Sequence, residues 1–237
     1  MRVDFAATVA KDRDAEDLGE DRFLFSLDGT IAALSDGASE SFDSRSWAEI
    51  LCKLSCSGNG ISPESISGAT IEYAALYDPA QLSWSKFAAY EKGSFATLLS
   101  VRHDRQRAQV EICAVGDTVV LLCEGQDVSL RFRLTEAGQF AAHPQLLCTR
   151  DDLNAFVRDP FLKTKHVVVE PVTSETVALL LTDAIGQWCY EAMEQGRDDW
   201  VVLLSIDSES AFQNFVLNAR ANRSMKIDDT TLIRLTF

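Results

Sequence analysis

The sequence predicts an α+β fold, mainly antiparallel sheet with its helices gathered in two blocks, and three observations carry that prediction. Apolar runs of strand length dominate the chain. Most follow one another across turns too short to hold a crossover helix, which disfavours a parallel doubly wound sheet. Helical periodicity is concentrated in two stretches, so the helices would pack outside one or two sheets, as layered domains require.

Taken in order, Arg22-Phe23-Leu24-Phe25-Ser26-Leu27 and Thr30-Ile31-Ala32-Ala33-Leu34-Ser35 flank Asp28-Gly29, which reads as a two-residue hairpin. Trp47, Ile50, Leu51 and Leu54 then recur at helical spacing, and Gly58 to Pro63 ends that helix. The stretch from Ser65 to Tyr90 reads as one or two helices interrupted near Asp78-Pro79. Ser94–Val101, Ala108–Val115, Val119–Cys123 and Val128–Leu134 predict an antiparallel meander. Residues 135–165, with Pro144 and Pro160, read as an irregular surface flap and the candidate for substrate selection, since loops beside a rigid site carry specificity. Strands are predicted over His166–Val172 and Val177–Thr182, helices over Ala184–Gln195 and Ser208–Asn222, and a last strand over Thr230–Phe237.

At 237 residues and 46% hydrophobic content the chain can bury a large core, and one domain spanning 1–237 is the simplest organisation. With 36 acidic and 22 basic residues the net charge is −14. No basic stripe of the kind that binds nucleic acid is visible, so nucleic acid is not an expected partner. No stretch approaches the ~20 apolar residues of a membrane span, and Met1-Arg2-Val3-Asp4-Phe5 lacks the apolar core of a signal peptide. A cytoplasmic protein without a membrane partner is expected. Its six cysteines, Cys52, Cys56, Cys113, Cys123, Cys148 and Cys189, would be reduced and mostly buried. His103, His143 and His166 are read as structural.

Four aspartates sit where an apolar run meets a turn: Asp36, Asp117, Asp183 and Asp228. Singly, each is ordinary turn chemistry. Converging, they would repel one another unless protonated or bridged by a cation, and oxygen clusters of this kind suit magnesium or manganese. A metal-dependent hydrolytic site is therefore the leading expectation.

Six short motifs, in order, resemble those of the PPM family of metal-dependent Ser/Thr protein phosphatases, also called protein phosphatase 2C. They are Glu20-Asp21, Asp36-Gly37, Gly93-Ser94-Phe95-Ala96-Thr97, Val115-Gly116-Asp117-Thr118, Leu181-Thr182-Asp183-Ala184 and Asp228-Asp229-Thr230-Thr231. The resemblance covers most of the chain and is to a divergent, bacterial-like member. It implies a four-layer α-β-β-α sandwich with two central antiparallel sheets, and two Mn2+ or Mg2+ ions with a weaker third. Asp36 would bridge two metals with help from the Gly37 carbonyl. Asp183 and Asp228 would hold one of them, Glu20 would act on the other largely through water, and Asp117 with Asp183 would touch the third. Asp36, Asp183 and Asp228 would be the catalytic residues, with Asp21 and Asp229 behind them. The implied reaction is direct attack of a metal-bound hydroxide on phosphoserine or phosphothreonine of a phosphorylated protein, the counterpart of a cognate Ser/Thr kinase.

The chain also departs from the family pattern. Ser39 replaces the later glycine of the second motif, and Ala38 stands where some members carry His. Glu16 occupies the position of a phosphate-binding Arg, with Arg13 and Lys11 read as part of a solvated segment. Asp183 is followed by Ala184 rather than Gly, and Asp229 replaces Asn. These departures keep open a catalytically weak scaffold that binds a phosphoprotein, and a hydrolase of small phosphoesters. No Gly-x-x-x-x-Gly-Lys loop is present, which disfavours a nucleotide-driven motor or kinase.

Overall fold

The computed structural model describes residues 1–12 and 19–237. Along the chain run β1 (Arg2–Val9), β2 (Arg22–Phe25), β3 (Ile31–Ser35), α1 (Ser44–Cys56), α2 (Pro63–Ala74) and α3 (Trp84–Lys92). Next come β4 (Phe95–Ala96), β5 (Leu98–Asp104), β6 (Gln109–Val115), β7 (Val119–Glu124), β8 (Asp127–Phe132) and β9 (Leu147–Cys148). The last part holds α4 (Leu162–His166), β10 (Val167–Pro171), β11 (Thr176–Leu181), α5 (Asp183–Glu194), α6 (Glu209–Ala221) and β12 (Thr230–Thr236).

Two antiparallel sheets form, in the orders β1-β12-β11-β7-β8 and β10-β6-β5-β3-β2, so the predicted α+β class and the two central sheets hold. The strands near their middle read as unbroken apolar runs because both of their faces are covered. On β7, Val120 and Leu122 point into the core between the sheets, whereas Val119, Leu121 and Cys123 face the layer of α5 and α6. Ala178 and Leu180 of β11 face the other sheet in the same way, and Leu179 and Leu181 face the helices. Opposite them Leu34, Leu99, Val101 and Ile112 close the inter-sheet core. On the far side Trp47 and Leu51 of α1 and Ile66 and Tyr73 of α2 pack over Leu98 and Val115. The result is helix, sheet, sheet, helix.

The helices begin where local chemistry allows. Asp43 caps α1 by accepting from Ser46 N at 3.1 Å. Ser62 caps α2 reciprocally with Ser65, and Pro63 fills the first helical position, where no N–H is needed. No described helix is long and apolar enough to cross a membrane.

Three expectations need correction. The first hairpin is not closed by two residues: Phe25 pairs with Ala32, Ser26 N donates to Ile31 O, and Leu27 to Thr30 form the loop. Asp28 Oδ1 there accepts from Ser26 Oγ, Thr30 N and Thr30 Oγ1 within that loop. The strands from Ser94 to Leu134 do not make one meander. β5 and β6 belong to one sheet and β7 and β8 to the other, because the chain crosses between sheets at Gly116, whose φ of +103° permits the swing. Residues 135–165 are not irregular throughout. They hold 3-10 turns at Ala137–Ala141 and Asp151–Arg158, the short strand β9 on β4, and α4. The strand β1, whose Phe5, Ala7 and Val9 are buried at alternate positions, was absent from the sequence reading.

Candidate metal centre

Asp36 follows β3, and its backbone is fixed by Thr97, the residue between β4 and β5. Asp36 N donates to Thr97 Oγ1 and Thr97 N donates to Asp36 O, each at 2.8 Å. Ser35 Oγ donates to Thr97 O at 2.5 Å, and Ala38 N to Phe95 O at 2.9 Å. Gly37 lies in an isolated bridge with Ala96, and a Cβ on it would come within 2.8 Å of Ser44 Cβ at the start of α1. Asp36-Gly37 is thus wedged between a strand and a helix N-terminus.

Asp117 lies on the crossing between the sheets, directly after Gly116, whose absent side chain leaves room for Thr97. Asp183 opens α5 after the cap residue Thr182, rather than ending the strand before it. Thr182 N donates to Thr231 O at 3.2 Å and Thr231 N to Thr182 Oγ1 at 2.8 Å, tying Asp183 to the segment that carries Asp228. The Asp228 carbonyl accepts from the Arg220 guanidinium of α6. That guanidinium also reaches Ala10 O at 2.8 Å, Val9 O at 3.1 Å and Thr230 Oγ1 at 2.9 Å.

Asp36, Asp117, Asp183 and Asp228 together line one cavity of about 200 Å³, with Gly37, Ala38, Ser39, Thr97, Pro144 and Leu146. Burial pushes the Asp36 carboxyl well above the usual range, and Asp21, Asp183, Asp117 and Asp228 push it further. Asp117 is raised to about 6, by burial and then by Asp183. Burial also raises Asp183, against the pull of Lys226. Such shifts are what carboxylates show when confined together without enough positive charge.

The cation present is an ammonium. Lys226 Nζ contacts Asp183 Oδ2 and lies 3.4 Å from Asp228 Oδ2. Desolvation works against its charge, but Asp183, Asp228 and Asp36 raise it nonetheless. Among the described residues, Asp183 Oδ1 is buried with no hydrogen-bond partner.

Glu20 stands beside this cavity and does not line it. Its Oε2 accepts from Lys11 Nζ at 2.6 Å and Ser39 Oγ at 2.7 Å, and its Oε1 from Ser44 Oγ at 3.0 Å. Lys11 is therefore part of a network at the site, not of a solvated segment; Glu16 and Arg13 lie outside the described residues. Asp229 uses both oxygens on backbone, accepting from Lys11 N at 2.7 Å and Glu20 N at 2.5 Å. Asp21, 3% exposed, accepts from Thr231 Oγ1 at 2.6 Å, while its Oδ1 has no partner among the described residues. Burial and the neighbouring Asp229 and Asp183 raise its carboxyl well above the usual range, against the Thr231 bond.

Sequence reasoning missed Arg220 and Lys226, and read Thr97 only as the end of the Gly93–Thr97 motif, not as the residue that fixes Asp36. Only Arg220 had a local signal: it follows Phe212 and Val216 at helical spacing, on a face that is otherwise apolar.

The donor set suits hard divalent cations: four carboxylates line one hollow, Asp36, Asp117 and Asp183 among them raised by burial and then by neighbouring carboxylates, and Asp183 has a buried oxygen without a partner among the described residues. Among the described residues, however, no three His, Cys, Asp or Glu side chains are drawn together as a ready-made metal site. The residues fit the chemistry of the ions, and their present arrangement is closed onto Lys226.

No protein-family model matches the sequence, and no curated protein matches it significantly. Solved structures do. The serine/threonine phosphatase Stp1 from Staphylococcus aureus superposes with a TM-score of 0.62 at 13% identity, over 100% of this chain and 96% of that one. The photosystem II phosphatase PBCP gives 0.57 at 15% identity, over 98% and 97%. The catalytic domain of the serine/threonine protein phosphatase PstP, in complex with two manganese ions, gives 0.53 at 12%, over 98% and 96%. The fold is that of the PPM phosphatases, as the ordered motifs implied.

Proposed function

We propose that this chain is a divergent PPM-type phosphatase, which hydrolyses phosphoserine or phosphothreonine on proteins with the help of two divalent cations. One observation carries the reading: carboxylates from four separate segments of the chain, Asp36, Asp117, Asp183 and Asp228, meet around one cavity on a fold shared with such phosphatases. The manganese ions of the PstP complex support the choice of metal. Asp36, Asp183 and Asp228 would hold the ions, with the Gly37 carbonyl beside Asp36, Glu20 at the flank and Asp117 serving a weaker third. Bound divalent cations supply a lowered water pKa and neutralisation of phosphoryl charge.

The chain's own residues do the rest. Thr97 fixes Asp36 from the backbone, Arg220 fixes Asp228, and Asp229 ties the Lys11 and Glu20 amides to one side chain. Pro144 and Leu146 wall the cavity, so the segment 135–165 bounds the space a substrate enters. The hollow of about 200 Å³ is smaller than the ~300–1,000 Å³ pockets that engulf small ligands, which favours a phosphoryl group carried on a larger partner over a small phosphoester. No histidine lines it.

The test is hydrolysis of a phosphothreonine peptide and of para-nitrophenyl phosphate with manganese, magnesium or chelator. Wild type is expected to turn over only with metal, and Asp36→Asn and Asp183→Asn to lose about 10²-fold or more, the scale of removing one electrostatic partner of a developing charge. A second reading, the scaffold that binds a phosphoprotein without turning it over, is favoured by Lys226 standing between Asp183 and Asp228. Phosphopeptide binding without turnover in metal-loaded wild type would select it.

A further inference from the structure

The ammonium of Lys226 stands where the phosphatase reading would put a divalent ion. It reaches Asp183 Oδ2 and Asp228 Oδ2, the two carboxylates assigned above to one metal. Lys226 belongs to the stretch between α6 and β12, two residues before Asp228, and its side chain is 40% exposed. Nothing buries it irreversibly. It also lines a second hollow of about 380 Å³, together with Gln187, Glu191, Arg223 and Ile227, which gives the side chain room to withdraw.

Electrostatics makes the two occupants exclusive. An ammonium in contact with Asp183 leaves no space for a second cation on the same oxygen, and a divalent ion a few ångströms away would repel it. Removing both would leave the largely buried Asp183 carboxylate facing Asp228 with no cation between them, the costly state. We propose that Lys226 is a built-in cation of this centre, holding Asp183 and Asp228 together without metal and leaving toward the Gln187–Glu191 hollow when a divalent ion enters. This rests on the reading of the cavity as a metal centre and adds a regulatory consequence to it. Asp183 and Asp228 then share one cation without metal, and the site fills only above a metal concentration that Lys226 sets. An ion that must first displace a resident group binds with its intrinsic affinity reduced by the population of the open state.

The experiment uses the full chain, with Mn2+ as the probe. Binding is read by calorimetry and by the electron paramagnetic resonance signal of free Mn2+, and stability by thermal melting in chelator and in excess Mn2+. Lys226→Gln is expected to bind Mn2+ at least about tenfold more tightly than wild type, a modest share of the Coulomb interaction between charges in contact near a protein surface. In chelator Lys226→Gln melts below wild type, and Mn2+ raises its midpoint more than it raises that of wild type. A purely structural role could lower the melting point but would not tighten metal binding. Equal affinity of the two proteins would overturn the role of Lys226 and leave the metal centre standing. If neither protein bound Mn2+ while both were folded, the metal centre and the role of Lys226 would fall together.

Discussion

Asp36 and Thr97 exchange two hydrogen bonds of 2.8 Å across 61 positions of sequence, one from each backbone N–H. The carboxylate proposed to bridge two cations is thus held through its backbone by a threonine that lines the same cavity.

Thr97→Val keeps the shape of the side chain and removes the acceptor for Asp36 N. Leaving that N–H unpaired is expected to lower stability by about 1–3 kcal/mol, read from urea unfolding. Thr97→Ser is expected to stay near wild type. A valine variant as stable as wild type would show that the bond does not hold Asp36.

Gly116→Ala meets two obstacles. The residue has φ +103°, and a Cβ would lie 2.5 Å from Thr97 Cγ2. A loss of about 2–4 kcal/mol is expected, from backbone strain together with overpacking. Adding Thr97→Ser removes the nearest atom, so the double variant should lose less than the sum of the two single changes. Additive losses would refute the contact.

Arg220→Met preserves the aliphatic stem and strips the guanidinium from the carbonyls of Val9, Ala10 and Asp228. About 1–3 kcal/mol is expected for each buried acceptor left unpaired. Because Asp228 loses its backbone anchor, Mn2+ binding should weaken too, even at temperatures where the variant is fully folded. Unchanged Mn2+ affinity in the folded variant would count against a positioning role.

His166 gives a pH signature away from the carboxylates. It is 3% exposed, its Nδ1–H donates to Ala114 O at 2.8 Å, and burial holds the imidazole below its usual range. The unfolded chain takes a proton near pH 6.5, the folded chain only at lower pH. Between these values the unfolded state binds more protons, so stability falls as the pH falls. Urea midpoints should drop more steeply for wild type than for His166→Asn between about pH 7.5 and pH 5.5. Parallel slopes would exclude this residue as the source.

The elements legible in the sequence were those whose cause is local. Trp47, Ile50 and Leu51 announce α1 by spacing alone, and the run through Leu179-Leu180-Leu181 announces β11. The four aspartates were legible because each ends or begins such a run. What failed was set by distant contacts. Sheet membership of β6 and β7 is decided by the swing at Gly116, and β4 and β9, two residues each, exist only through their pairing. β1 carried a readable alternation at Phe5, Ala7 and Val9, but its pairing with β12 spans the whole chain. Lys226 gave no sign, since a lysine in a polar turn is ordinary until the fold sets aspartates against it, and Thr97 was legible only as the end of a motif, not as the residue that holds Asp36.

The carboxylates come from both sheets: Asp36 follows β3 of one, and Asp183 and Asp228 flank β11 and β12 of the other. Their separation is therefore tied to the thickness of the apolar filling between the sheets, formed by residues such as Leu34, Val101, Leu180 and Ile233. Oxygen distances preferred by magnesium and by larger ions differ by only a few tenths of an ångström, and close-packed interiors transmit changes of one methylene. Ionic radius selection in this protein would then be written partly in hydrocarbon, in side chains that no ion ever meets.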